Sequence, residues 1–131
     1  MTSQNNKKIL VVEDEKPLST AISEKLKSGG YDTVTVKSVD EASEVLEKEK
    51  IDAVWLDHYL FGNKNGIDLV VKMKEEGSQW KSIPIFVVSN TATGDKVKQY
   101  LSFGVQKYFV KAESKLEEII SEIENSLEKL D

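Results

Sequence analysis

Four short apolar runs in this chain each end in a residue suited to metal or phosphate chemistry. Ile9-Leu10-Val11-Val12 leads into Glu13-Asp14, Ala53-Val54-Trp55-Leu56 into Asp57, Ile85-Phe86-Val87-Val88 into Ser89, and Tyr108-Phe109-Val110 into Lys111. In an open parallel α/β sheet the strand exits lie along one edge, and ligands bind in the crevice there. Three carboxylates, a hydroxyl and an amine would then share one site. Clustered carboxylates repel unless they share a proton or a cation. A hard, oxygen-only donor set suits Mg²⁺ or Ca²⁺, and Mg²⁺ fits better because it retains waters, needs few carboxylates and is completed by phosphate oxygens. A lysine and a hydroxyl beside it would stabilise the equatorial oxygens of a phosphoryl group in transfer. One carboxylate could itself be the nucleophile.

Each of these residues also has a plainer reading. Asp14 could cap a helix that starts near Pro17, Lys111 could lie along apolar surface with its amine in water, and Ser89 could be a turn residue. His58, the only histidine, reads as a neutral packed ring or a partly exposed edge residue and is given no chemical role. By periodicity Tyr108 is core.

The elements that must position these side chains alternate between strand-like and helix-like segments, five of each, which points to βαβ units around a parallel sheet. Leu18, Ile22 and Leu26 recur at helical spacing between Pro17 and the Gly29-Gly30 stop. A strand over about Thr33 to Val36 precedes Ser38 and Glu41, which form a capping box for a helix with Ala42, Val45 and Leu46 inward. After Asp57, a loop holding Gly62-Asn63-Lys64-Asn65-Gly66 leads to a helix with Ile67, Val70 and Val71 inward, ended by Gly77. Pro84 opens the fourth strand. The turn Ser89-Asn90-Thr91-Ala92-Thr93-Gly94 then leads to the helix with the weakest apolar face, Val97, Tyr100 and Leu101, closed by Gly104. The last strand is expected to end at Lys111. Ser114 with Glu117 should cap a final helix bearing Leu116, Ile119, Ile120, Ile123, Leu127 and Leu130.

Composition bounds what the site can belong to. The 131 residues suit one domain over positions 1–131, and the absence of cysteine excludes disulfides and thiolate chemistry. No apolar stretch approaches the roughly 20 residues of a membrane span, and the polar start Met1-Thr2-Ser3-Gln4-Asn5-Asn6 lacks a signal-peptide core, so a cytoplasmic protein without membrane contact is expected. The net charge is −5 and all 18 basic residues are lysines, without the guanidinium fork that reads guanine. Direct nucleic-acid binding is therefore not expected, and no glycine-rich loop ending in lysine and serine or threonine suggests nucleotide binding.

In order and spacing, Val11-Val12-Glu13-Asp14-Glu15, Asp57, Asn65-Gly66-Ile67-Asp68-Leu69, Ser89, and Gly104 through Tyr108 to Lys111 resemble the receiver domain of bacterial two-component response regulators, over about Lys8 to Lys129. The resemblance implies a flavodoxin-like doubly wound (βα)5 fold with a five-stranded parallel sheet in the order 2-1-3-4-5. It implies a stand-alone, chemotaxis-type signalling phosphoacceptor rather than an enzyme. Asp57 would accept a phosphoryl group from the phosphohistidine of a histidine kinase or phosphotransfer protein. Asp14, Asp57 and the Tyr59 carbonyl would bind Mg²⁺ directly, and Glu13 through water. Ser89 and Lys111 would hold the phosphoryl oxygens, and Tyr108 would turn inward with Ser89 to alter a surface read by a downstream protein. The protein would be a monomer or a phosphorylation-linked homodimer.

The chain departs from the family pattern at Ala112 and Phe61, where proline is usual, at Asn90, where a small residue is usual, and in a loop from Asp57 to Gly66 that is one residue longer. Two other classes of function remain at this stage. A small Mg²⁺-dependent phosphatase or phosphotransferase would require multiple turnover, but the second aspartate of a dehalogenase-type motif is replaced by Tyr59. In the binding class, a flavodoxin-like carrier is opposed by the charges of Glu13-Asp14-Glu15-Lys16 beside a phosphate loop, which leaves a non-phosphorylated pseudo-receiver scaffold.

Overall fold

The computed structural model describes residues 6–90 and 93–129. The polar start at Met1–Asn5, the turn residues Thr91 and Ala92, and Leu130 lie outside the described residues. Five strands, β1 (Lys8–Val12), β2 (Asp32–Val36), β3 (Ala53–Leu56), β4 (Ile85–Ser89) and β5 (Lys107–Val110), pair in parallel in the order β2-β1-β3-β4-β5. They alternate with α1 (Lys16–Ser28), α2 (Val39–Lys48), α3 (Gly66–Lys74), α4 (Gly94–Ser102) and α5 (Leu116–Lys129). The expected five-stranded doubly wound architecture and its strand order are both present.

The central strands read as unbroken apolar runs because helices cover both faces of a parallel sheet. Their period of two sorts alternate side chains into two cores. Leu10, Val12, Val54, Leu56, Ile85 and Val87 pack with Ala42, Leu46, Leu69, Val70, Met73 and Tyr100. On the other face, Ile9, Val11, Trp55, Phe86, Val88 and Phe109 pack with Ile22 and Leu26 of α1 and Ile119, Ile120, Ile123 and Leu127 of α5. Burying each large aliphatic side chain contributes roughly 1.5–3 kcal/mol. The register sets Val12 beside Leu56, Leu56 beside Val87, and Ser89 beside Val110. The residues that leave β1, β3, β4 and β5 therefore emerge along one edge.

Local signals place most helix ends. At the end of α1, Gly30 takes φ +95°, a left-handed conformation that favours glycine. Ser38 Oγ accepts from Glu41 N at 3.1 Å, while the Glu41 carboxylate accepts from Lys37 N at 2.9 Å, one residue before the expected partner. Ser38→Ala is expected to cost about 1 kcal/mol, measured by urea unfolding; an unchanged midpoint would remove the cap from the account. At α3 a full capping box, Asn65 with Asp68, stands where the sequence had suggested only a loop.

Five expectations are corrected. Val71 is 42% exposed, because Gly66, Leu69, Val70 and Met73 form the buried stripe at helical spacing and Val71 falls just beyond it. Leu101 is 49% exposed for the same reason, since α4 turns Tyr100 inward. The start of α5 is shifted by one residue: the Glu118 carboxylate accepts from Lys115 N at 2.9 Å, and Glu117 instead pairs with Lys25 at 3.3 Å. Helix α3 ends at Lys74, with Gly77 at φ +83° in the turn beyond it, and β5 ends at Val110, one residue before Lys111.

Candidate functional site

Backbone hydrogen bonds extend the sheet into the site. Glu13 N donates to Val36 O and Asp57 N to Val12 O, both at 3.0 Å, and Lys111 N donates to Ser89 O at 2.9 Å. With these three exits held together, carboxylate oxygens of Glu13, Asp14 and Asp57 lie within 4.8 Å of one another. Lys111 Nζ stands 3.2 Å from Glu13 Oε1 and 3.3 Å from Asp57 Oδ2. Glu13, Asp57 and Ser89 are buried, whereas Asp14 is exposed at the rim. The capping alternative for Asp14 is not realised: the residue at the N-cap of α1 is Glu15, and no side chain caps that end. Nor is Lys111 a surface lysine, for its side chain is only 15% exposed and its amine points at two carboxylates. Ala112 does not prevent this approach.

The cluster carries more negative charge than one ammonium neutralises. Burial, and then the Asp57 charge, push Glu13 up to about 7 against the pull of Lys111. Burial by itself would lower Lys111, but Asp57 and Glu13 outweigh it and hold the ammonium above its ordinary value. Glu13 Oε1 is buried and accepts no well-directed hydrogen bond. Hard oxygen donors, a buried Glu13 oxygen held only by an ion pair, and excess negative charge together fit a divalent cation such as Mg²⁺. A cleft of about 500 Å³ opens beside the cluster, lined by Glu13, Asp14, Lys16, Thr20, Lys37 and Glu41 among others.

Ser89 ends β4, and its side chain is hydrogen-bonded to Tyr108. Tyr108 is half-buried against the core below α4, with its ring 5.6 Å from that of Tyr100. Burial raises its hydroxyl above the usual range, partly offset by Ser89. The loop after Asp57 exposes two aromatics, Tyr59 at 55% and Phe61 at 60%. Lys96 Nζ lies 5.3 Å from the centre of the Tyr59 ring and Lys37 Nζ 4.7 Å from that of Phe61.

His58 is buried, as the packing alternative required. Burial first, and then the charge of Lys96, lower its pKa, so the ring is neutral near pH 7. Its neighbours Lys96 and Tyr100 went unassigned in the sequence, where Tyr100 read only as core. Their i, i+4 spacing on one helix face was the available signal.

An open parallel sheet covered on both faces, with an acidic cleft at its carboxyl edge and a half-buried lysine reaching into it, defines a doubly wound α/β domain with a cation- and phosphate-directed site. The chain belongs to the response regulator receiver domain family, whose match spans residues 9–124. It is 31% identical over 105 residues to the chemotaxis protein CheY1 of Helicobacter pylori, covering 79% of this chain and 84% of that protein. It is 30% identical over 105 residues to the phosphate regulon transcriptional regulatory protein PhoB of Pseudomonas aeruginosa, covering 80% of this chain and 45% of that one. The matched part is thus less than half of PhoB. Among solved structures, the phosphorylated cyanobacterial phytochrome response regulator RcpA superposes with a TM-score of 0.78 at 26% identity, over 92% of this chain and 90% of RcpA. A two-component response regulator from Clostridium difficile shares the fold, with a TM-score of 0.86 at 19% identity over 96% and 99% of the two chains. The domain is a two-component receiver, a signalling module, and among the described residues no helix is long and apolar enough to cross a membrane.

Proposed function

We propose that Asp57 is the phosphoacceptor of this receiver, taking a phosphoryl group from the phosphohistidine of a histidine kinase or phosphotransfer protein. An Asp57 carboxylate oxygen forms the new bond to phosphorus, the phosphorus–nitrogen bond to the imidazole breaks, and the imidazole leaves as a neutral ring once solvent supplies its proton. The observation that carries this reading is the convergence of Glu13, Asp14 and Asp57 with Lys111 Nζ 3.3 Å from Asp57 Oδ2. The Asp14 and Asp57 carboxylates and the Tyr59 carbonyl, with Glu13 acting through water, would hold Mg²⁺, which would supply charge neutralisation at the phosphoryl oxygens. Lys111 and Ser89 hold those oxygens after transfer. Tyr108, already bonded to Ser89, follows it and alters the surface formed by α4, β5 and α5 that a downstream protein reads.

The test is intact-mass measurement after incubation with a small-molecule phosphodonor, with and without Mg²⁺, on wild type and Asp57→Asn. A single Mg²⁺-dependent phosphate adduct, absent from Asp57→Asn, is expected. Equal adduct in the variant would move the acceptor elsewhere. Donor consumption with sustained turnover would favour the phosphatase alternative.

A further inference from the structure

Among the described residues, His58 is the only buried side chain between Asp57 and Gly66; Leu60 is half-buried and the rest are exposed. Helix α4 also buries a single side chain, Tyr100. These two meet. Lys96 Nζ, which has only protons to offer, donates to His58 Nε2 at 3.0 Å. The proton of the neutral ring is then on Nδ1, which donates to the Tyr100 hydroxyl oxygen at 2.6 Å. Gly66 closes the same nook. Its N donates to His58 O at 2.9 Å, and a Cβ there would lie 2.5 Å from the Tyr100 hydroxyl and 2.9 Å from the Asp57 carbonyl. Three further side-chain hydrogen bonds of this loop, Lys64 to Asp40 and Asn65 with Asp68 and Ile67, are exposed. Both ring nitrogens of the loop's one buried residue are therefore satisfied from α4.

We propose, on the reading of Asp57 as a Mg²⁺-dependent phosphoacceptor, that Tyr100 and Lys96 are positioning residues for this site: through His58 they fix the peptide units that follow Asp57, the Tyr59 carbonyl included, and so set divalent-cation affinity from α4. By reciprocity, cation binding at the acidic cluster holds α4 in place. A plain core role for Tyr100 would instead leave cation affinity untouched when its hydroxyl alone is removed.

Calorimetric titration of Mg²⁺ alone into the full chain tests this in wild type, Tyr100→Phe and Lys96→Met, alongside the imidazole nitrogen spectrum of His58. That spectrum is unambiguous because the chain has one histidine. The expected spectrum is an Nδ1–H neutral ring in wild type, altered in both variants. The Mg²⁺ dissociation constant should rise about tenfold in Tyr100→Phe. Lys96→Met should also weaken Mg²⁺ binding, although removing a nearby cation would by charge alone strengthen it. Equal affinity in wild type and a folded Tyr100→Phe overturns the positioning role; if that variant does not fold, tighter or equal binding in Lys96→Met overturns it. Absence of an Asp57 adduct in a wild type that binds Mg²⁺ overturns the phosphoacceptor reading instead.

Discussion

As pH rises from the ordinary carboxyl value of 4.5 to about 7, Glu13 is expected to withdraw about 3 kcal/mol of stability from the metal-free protein, at roughly 1.4 kcal/mol per pKa unit. The folded state binds this proton more tightly than the unfolded chain does. The contribution is therefore complete below 4.5 and gone once pH has passed through about 7. Lys111, raised above 10.5, titrates outside this window. Glu13→Gln keeps the side-chain shape without the charge, so the difference between the urea-unfolding profiles of the two proteins isolates the effect. Saturating Mg²⁺ should invert the wild-type trend, because the metal binds the ionised form and releases the proton. Mg²⁺ affinity should then climb up to about tenfold per pH unit below 7 and level off above it. Parallel profiles for wild type and Glu13→Gln would mean that folding does not raise the Glu13 pKa.

Lys111→Met should have the second large effect. Its ammonium is the cation between two buried carboxylates, at 3.2 and 3.3 Å. Removing one partner of a buried charge group while leaving the others costs about 3 kcal/mol. That loss should grow with pH, since at low pH Glu13 can take up a proton, the more readily without Lys111 beside it. Mg²⁺ should restore part of the stability but not the chemistry. Loss of an electrostatic donor to a transferring group costs about 10²-fold in rate, so the Asp57 adduct should form slowly rather than vanish. Unfolding curves and a time course of intact mass measure the two arms. If stability and rate both match wild type, Lys111 is a bystander whose amine serves only solubility.

The five carboxyl-edge residues were readable in the sequence because four unbroken apolar runs lead into them. Central parallel strands, buried on both faces, leave that signature locally. Glu13, Asp14, Asp57, Ser89 and Lys111 could thus be named together before any contact was known. What the runs could not specify was how the charges pair, or that Glu13 would be buried with an oxygen lacking a directed hydrogen bond. Desolvation depends on the whole surround rather than on spacing.

Helix rotation shows the same division. The apolar positions of α3 and α4 were visible, yet both Val71 and Leu101 proved exposed, since a helix with several apolar residues can turn through a wide arc before packing selects one stripe. The α5 start slipped by one residue because two glutamates, Glu117 and Glu118, competed for it. Lys25, on another helix, took the first.

By itself the sequence determined element order, strand-versus-helix identity, most helix stops and the set of residues at the sheet's carboxyl edge. These rest on periods of two and 3.6 and on residue-specific backbone preferences, all of them local. Only the tertiary structure decided the Lys111 bridge to Glu13 and Asp57, the Ser89–Tyr108 bond and the His58–Tyr100–Lys96 chain. The His58–Tyr100 pair spans 42 positions and Lys111–Asp57 spans 54. Contacts across such separations follow from strand order and register, which bring distant segments together without leaving a periodic trace in either one.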